Sequence, residues 1–180
     1  MTRCAMLATG LALAALAAGC GGEPESPKAA PPVPAAGPAA AGALVGTEAP
    51  EIQAAYWINS EPLTLKGLRG HVVVVEFWAT WCPPCRQTIP HLIELHKQYA
   101  GKGVVIVSLT DEPKETVEPF VKEMGMTYAV GGGSLTGRAY GVSGIPSAAV
   151  VDPAGKVVWQ GHPMGGLDAA LDAQVKAAGR

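Results

Sequence analysis

The chain has 180 residues and a formal net charge of −2 at pH 7, with no clustered Lys/Arg stripe, so the electrostatic footprint of a nucleic-acid binder is absent. Of its residues 48% are hydrophobic, but Ala and Pro concentrate near the N-terminus, so that figure overstates the core. About 135 residues remain beyond that low-complexity start, enough for one compact domain.

The first 20 residues, "MTRCAMLATGLALAALAAGC", read as a secretion signal. Arg3 supplies a positive start, and Ala5 to Ala18 form an apolar stretch of about 14 residues, short of the roughly 20 that span a bilayer. The ending "LAAGC" resembles the lipobox of bacterial lipoproteins, although Ala17 stands where the common pattern has Leu. That resemblance implies cleavage of residues 1–19, lipidation of Cys20 and a membrane anchor; Gly21 after the cysteine favours the outer membrane where a cell has one. Residues 20–43 are Pro/Ala-rich with almost no large apolar side chain, and are expected to form a disordered tether.

From residue 44 to 180 the pattern is that of a folded domain. "VVVVEFW" (72–78) predicts a strand buried on both faces. A helix follows from about Cys82, with Ile89, Leu92, Ile93 and Leu95 at helical spacing over 86–100 and Pro90 inside it. "VVIVSL" (104–109) predicts a second buried strand, and "KETVEPFVKEMG" (114–125) an amphipathic helix stopped by Gly125. Strands at 147–152 and 156–161, joined by "DPAG", predict a hairpin, and 165–179 a closing helix. Strands separated by helices and followed by a late hairpin imply an α/β sandwich with mixed strand directions.

The chemistry concentrates in "TWCPPCR" (80–86). Cys4 belongs to the signal and Cys20 to the lipobox-like end, which leaves Cys82 and Cys85 to act together. A structural zinc site needs four ligands, and there is neither a second cysteine pair nor ligand spacing among His71, His91, His96 and His162. His162 and Met164 read as loop residues, and no metal or cofactor is expected. An inert staple across so small a loop gains little stability. Redox chemistry has a physical basis: a strand ends near Trp81 and a helix begins about Cys82, so the helix N-terminus stabilises a Cys82 thiolate while Cys85 lies one turn further in. Pro83 and Pro84 suit a first helical turn, but they remove two N–H donors and stiffen the loop.

"FWATWCPPC" resembles the active site of thioredoxin-fold proteins, and the chain is similar to the TlpA/ResA-like group of exported, membrane-tethered thiol–disulfide oxidoreductases. The likeness takes in "GTEAP" (46–50), "LKGLRG" (65–70) and "GVSGIPSAAVVDPAGKVV" (141–158). It implies a three-layer α/β/α thioredoxin fold around a central mixed sheet. It also implies that Cys82 is the nucleophile, Cys85 the resolving thiol, Pro146 a cis proline facing them, and Ile145 a backbone partner for a bound peptide. Trp81 matches the tryptophan that caps the family site, and Pro83 and Pro84 flank the substrate. The partners implied are protein disulfides and a membrane electron donor of the DsbD/CcdA type, with apocytochrome c or copper-centre assembly proteins as clients. ResA-like proteins serving cytochrome c maturation carry an acid three residues after the second cysteine; Thr88 stands there instead.

Glu76 interrupts the apolar run six residues before Cys82, where thioredoxin has a buried acid. In a buried strand its pKa is expected to rise, which suits it to take the Cys85 proton; a core Glu paired with a base, or a solvent-facing strand end, is the structural alternative. Two other functions compete with the reductase: a redox-inert binding module, and a peroxiredoxin-like peroxidase. The peroxidase frame needs a Thr three residues before its cysteine, and Thr80 is two before Cys82.

Overall fold

The computed structural model describes residues 42–179. The signal, Cys20 and the tether up to residue 41 lie outside the described residues. Among the described residues no helix is long and apolar enough to cross a membrane.

Six strands form one sheet: β1 (Tyr56–Ile58), β2 (Val72–Phe77), β3 (Val104–Leu109), β4 (Ala129–Gly132), β5 (Ser147–Val151) and β6 (Val157–Gly161), in spatial order β1-β4-β3-β2-β5-β6. β2, β3 and β4 are parallel; β1 and β5 run against them, and β6 runs against β5. The helices are α1 (Pro83–Gln98), α2 (Lys114–Met124) and α3 (Leu167–Ala177), with a short 3₁₀ turn at Thr136–Arg138.

All six residues of β2 are buried, as a both-faces-covered strand requires. Val72, Val74 and Trp78 face a core built from Ile89 and Leu92 of α1, Phe120 of α2 and Leu171 of α3. The steps β2-α1-β3 and β3-α2-β4 move the same way across the sheet, so crossovers of one hand put α1 and α2 on one face. Val73, Val75 and Phe77 point the other way, into a core closed by Ile52, Leu65 and Tyr140. These are the three layers of a thioredoxin fold around a mixed sheet. The second outer layer is thin, made of the chain from Leu44 to Leu68 together with the 3₁₀ turn and the residues that follow it to Val142.

The helix ends follow from local chemistry. Pro83 and Pro84 occupy the first turn of α1, where their missing N–H groups have no helical partner to lose. Gly125 ends α2 in a left-handed conformation (φ 66°), and Met126 N–H returns to Val121 O at 3.0 Å. The hairpin expected at "DPAG" forms, with Asp152 N–H bonded to Lys156 O at 2.8 Å. Two strands were not anticipated. β4 is "AVGG" and reads as a loop, while β1 has three residues and no alternation to detect. Gly132 pairs with Tyr56, and a side chain at 132 would run into the Tyr56 ring, so glycine here makes room for a neighbour.

Candidate active site

The C-terminal ends of β2, β3 and β4 open onto one rim, where the loops after them meet the segment entering β5. Ala79 to Cys82 form a tight turn, with Cys82 N–H on Ala79 O at 3.2 Å, and that turn delivers Cys82 to the N-cap of α1. Cys82 and Cys85 are joined in a disulfide, their Cα atoms 5.3 Å apart. Cys85 N–H points at Cys82 Sγ over 3.2 Å, the capping bond that would become charge-assisted with a thiolate there. Cys85 is wholly buried, and Cys82, at 2% exposure, is nearly so, a smaller contrast than the sequence implies. Pro83 and Pro84, between the two cysteines in the first turn of α1, are exposed.

The Ile145–Pro146 peptide is cis. Ile145 carbonyl oxygen lies 3.8 Å from Cys82 Sγ, which brings the two sequence-distant motifs together. Pro146 is buried and Ile145 half-buried. Trp81 is 70% exposed and stands at the edge of a cleft of about 230 Å³ shared with Leu135, Arg138, Val142 and Ile145. It therefore flanks the disulfide as an open apolar face.

Glu76 is fully buried on the α1 side of the sheet, opposite Ser108 on β3 and Ala148 on β5. Ser108 hydroxyl donates to Glu76 Oε2, while Oε1 has no hydrogen-bond partner. Burial pushes the carboxyl up to about 8, against the opposing pull of the Ser108 bond. Among the described residues no base pairs with it, and it is not at a solvent-facing strand end. Burial, and then the Glu76 charge, also hold the Tyr128 phenol well above its ordinary value. Thr88 hydroxyl, in place of the acid that the resemblance would supply, donates to Cys85 O at 2.9 Å inside its own helix.

Beyond the disulfide, Arg86 lies over the Phe120 ring at 4.8 Å, and Phe120 stacks on Trp78 with centroids 5.3 Å apart. His162 and Met164 do not converge on a site; Met164 N–H bonds the His162 ring at 3.2 Å. Sequence reasoning missed Glu112. Its carboxylate accepts from both Thr80 N–H and Thr80 hydroxyl at 2.6 Å, and an acid in a loop, with Asp111 and Glu115 as neighbours, carries no spacing that would mark it out.

A sequence profile of the AhpC/TSA family matches residues 45–160. The chain belongs to the AhpC/TSA family. Within it, this chain stands with the thiol–disulfide oxidoreductases of thioredoxin fold. It is 37% identical over 119 residues to the thiol-disulfide oxidoreductase ResA of Bacillus thuringiensis (strain Al Hakam), covering 64% of this chain and 68% of that protein. It is 38% identical over 120 residues to the thiol:disulfide interchange protein HelX of Rhodobacter capsulatus, covering 64% of this chain and 66% of that one. Among solved structures it is similar to a thiol:disulfide interchange protein of the thioredoxin family from Chlorobium tepidum TLS, at TM-score 0.61 and 27% identity over 72% of this chain and 96% of that one. A thiol-disulfide isomerase from Corynebacterium glutamicum gives TM-score 0.61 and 25% identity, over 71% and 96%. With its own cysteine pair closed in a disulfide, this family member is an enzyme of thiol–disulfide exchange.

Proposed function

We propose that the protein is an extracytoplasmic, membrane-tethered reductase of protein disulfides, held by a lipid on Cys20 through the tether at 20–43. The observation that carries the chemistry is Cys82 Sγ at the N-cap of α1, accepting from Cys85 N–H at 3.2 Å. In the reduced enzyme the Cys82 thiolate attacks one sulfur of a client disulfide. That S–S bond breaks, its electron pair leaves on the client's other sulfur, and a mixed disulfide joins Cys82 to the client. Cys85 then gives its proton to Glu76 in its ionised form, whose share grows as the pH rises toward about 8, and attacks Cys82 Sγ. The mixed disulfide breaks, the client's two sulfurs leave as thiolates that take protons from protonated Glu76 or from water, and Cys82–Cys85 is oxidised by two electrons. A membrane dithiol donor of the DsbD/CcdA type would reduce it again.

Ile145, with its carbonyl beside Cys82, and Pro146 supply the backbone edge against which an extended client lies. Trp81 and Leu135, both exposed and both lining the cleft, offer apolar surface to a flexible client. Apocytochrome c and copper-centre assembly proteins suit that requirement. The peroxidase alternative loses ground because Thr80 hydroxyl is taken by Glu112.

Insulin reduction run beside peroxide consumption tests the activity, and the reduction potential with the in vivo state of Cys82 and Cys85 tests the direction. A mostly reduced pair and rapid insulin reduction are expected. Peroxide consumption without insulin reduction, or a mostly oxidised pair, overturns the reading. Recovery of a soluble form that starts at a residue other than Cys20 overturns the anchor.

A further inference from the structure

The turn that carries Trp81 and ends on Cys82 is gripped from outside its own helix. Thr80 N–H and Thr80 hydroxyl both bond the Glu112 carboxylate, one to each oxygen, at 2.6 Å. At the second position of a tight turn this N–H has no partner within the turn itself. Glu112 is in turn braced. Thr110 hydroxyl bonds Oε2 at 3.2 Å, and the Glu112 carbonyl accepts from Tyr56 hydroxyl at 2.9 Å and from Gly133 N–H at 3.1 Å. The β3–α2 loop, β1 and the end of β4 thus converge on one residue: β1 and the end of β4 hold its backbone carbonyl, Thr110 steadies its carboxylate, and that carboxylate reaches the residue two before Cys82.

We propose that Glu112 is a positioning residue. Its carboxylate clamps the Ala79–Cys82 turn and so holds Cys82 where its sulfur meets Cys85 N–H. The inference rests on Cys82 being the attacking thiol. Positioning and charge act on Cys82 in opposite senses. Holding the N-cap geometry stabilises a thiolate, whereas a nearby carboxylate anion opposes one. Gln at 112 keeps an acceptor for Thr80 N–H and a donor for its hydroxyl while removing the charge; Ala removes the grip.

The test is the rate at which iodoacetamide alkylates the reduced protein near neutral pH, with the modified cysteine identified by mass spectrometry. Glu112→Ala is expected to slow Cys82 alkylation about tenfold and raise its thiolate pKa, as loss of a charge-assisted clamp implies. Glu112→Gln is expected to recover most of the rate. Thr80→Val, which keeps the N–H bond and loses the hydroxyl, falls between. Should Glu112→Ala not fold, Thr80→Val and Glu112→Gln decide: slowing in the first with recovery in the second supports the clamp. Cys82 reacting at the wild-type rate in Glu112→Ala, or in Thr80→Val where that alone folds, overturns it. So does faster reaction in both Glu112 variants, the mark of charge acting alone. Alkylation of Cys85 before Cys82 in the wild type overturns the nucleophile assignment itself, a failure distinct from that of the clamp.

Discussion

Ser108 hydroxyl donates to the Glu76 carboxyl across the parallel pairing of β3 and β2, inside a core that offers that carboxyl no cation. A carboxyl held up to about 8 is protonated at neutral pH and becomes a base as the pH rises through that value. Glu76→Gln cannot become one. Resolution of a Cys82 mixed disulfide, followed by stopped-flow release of a model client, should slow by about a hundredfold at pH 8–9, within the usual span for a lost general base. Equal rates in the two proteins across pH 6–9 would remove Glu76 from the mechanism.

The Ser108 bond lowers the Glu76 pKa, so removing it leaves burial unopposed. In Ser108→Ala the rise in resolution rate with pH should move to higher pH than in the wild type. A midpoint that stays in place would mean that the bond does not tune the carboxyl.

The same carboxyl makes stability depend on pH with a definite sign. Folded, it keeps its proton up to about 8; unfolded, it releases it near 4.5. Unfolding therefore releases a proton between those values, and stability falls as pH rises through that window. The loss is on the order of 5 kcal/mol, at about 1.36 kcal/mol per pKa unit. Urea midpoints at the two ends of the window should differ markedly in the wild type, and much less in Glu76→Gln.

Arg86, Phe120 and Trp78 form a stack that ties α2 to the first turn of α1. Phe120→Leu keeps an apolar side chain but ends both ring contacts. It should cost roughly 1–2 kcal/mol in chemical denaturation and alter Trp78 fluorescence. No change in either would show the stack to be coincidental.

Gly132→Ala forces the Tyr56 ring aside, because a Cβ there occupies the ring's place. Tyr56 hydroxyl then loses Glu112 O, and a destabilisation of about 1–3 kcal/mol is expected by thermal melting. An unchanged melting temperature would show that the ring moves freely.

What the sequence made legible were the features with strong local chemistry. The run 72–77 could only be a doubly buried strand, and two prolines behind a cysteine mark a helix start. Glu76 was visible because an acid in a valine run is conspicuous. β4 was not, since Gly132 admits the Tyr56 ring and Gly131 makes room for Ala54 and Leu109, requirements known only once the neighbouring chain lies beside it. Glu112 escaped for the same kind of reason: its partner Thr80 is 32 residues away in the chain. The burial of Cys82 also depends on the packed rim rather than on its neighbours in sequence.

The chain joins the sheet along β6, where Gly46 N–H bonds Val157 O at 2.8 Å and Val157 N–H bonds Thr47 O at 3.0 Å. Val157 pairs with Val151, and Val151 with Val73, so that junction stands at the start of β2, whereas the disulfide stands beyond its end. The entry to the sheet and the disulfide thus stand at opposite poles of the domain. A protein that reaches the sulfurs does so at the end of the sheet remote from Gly46.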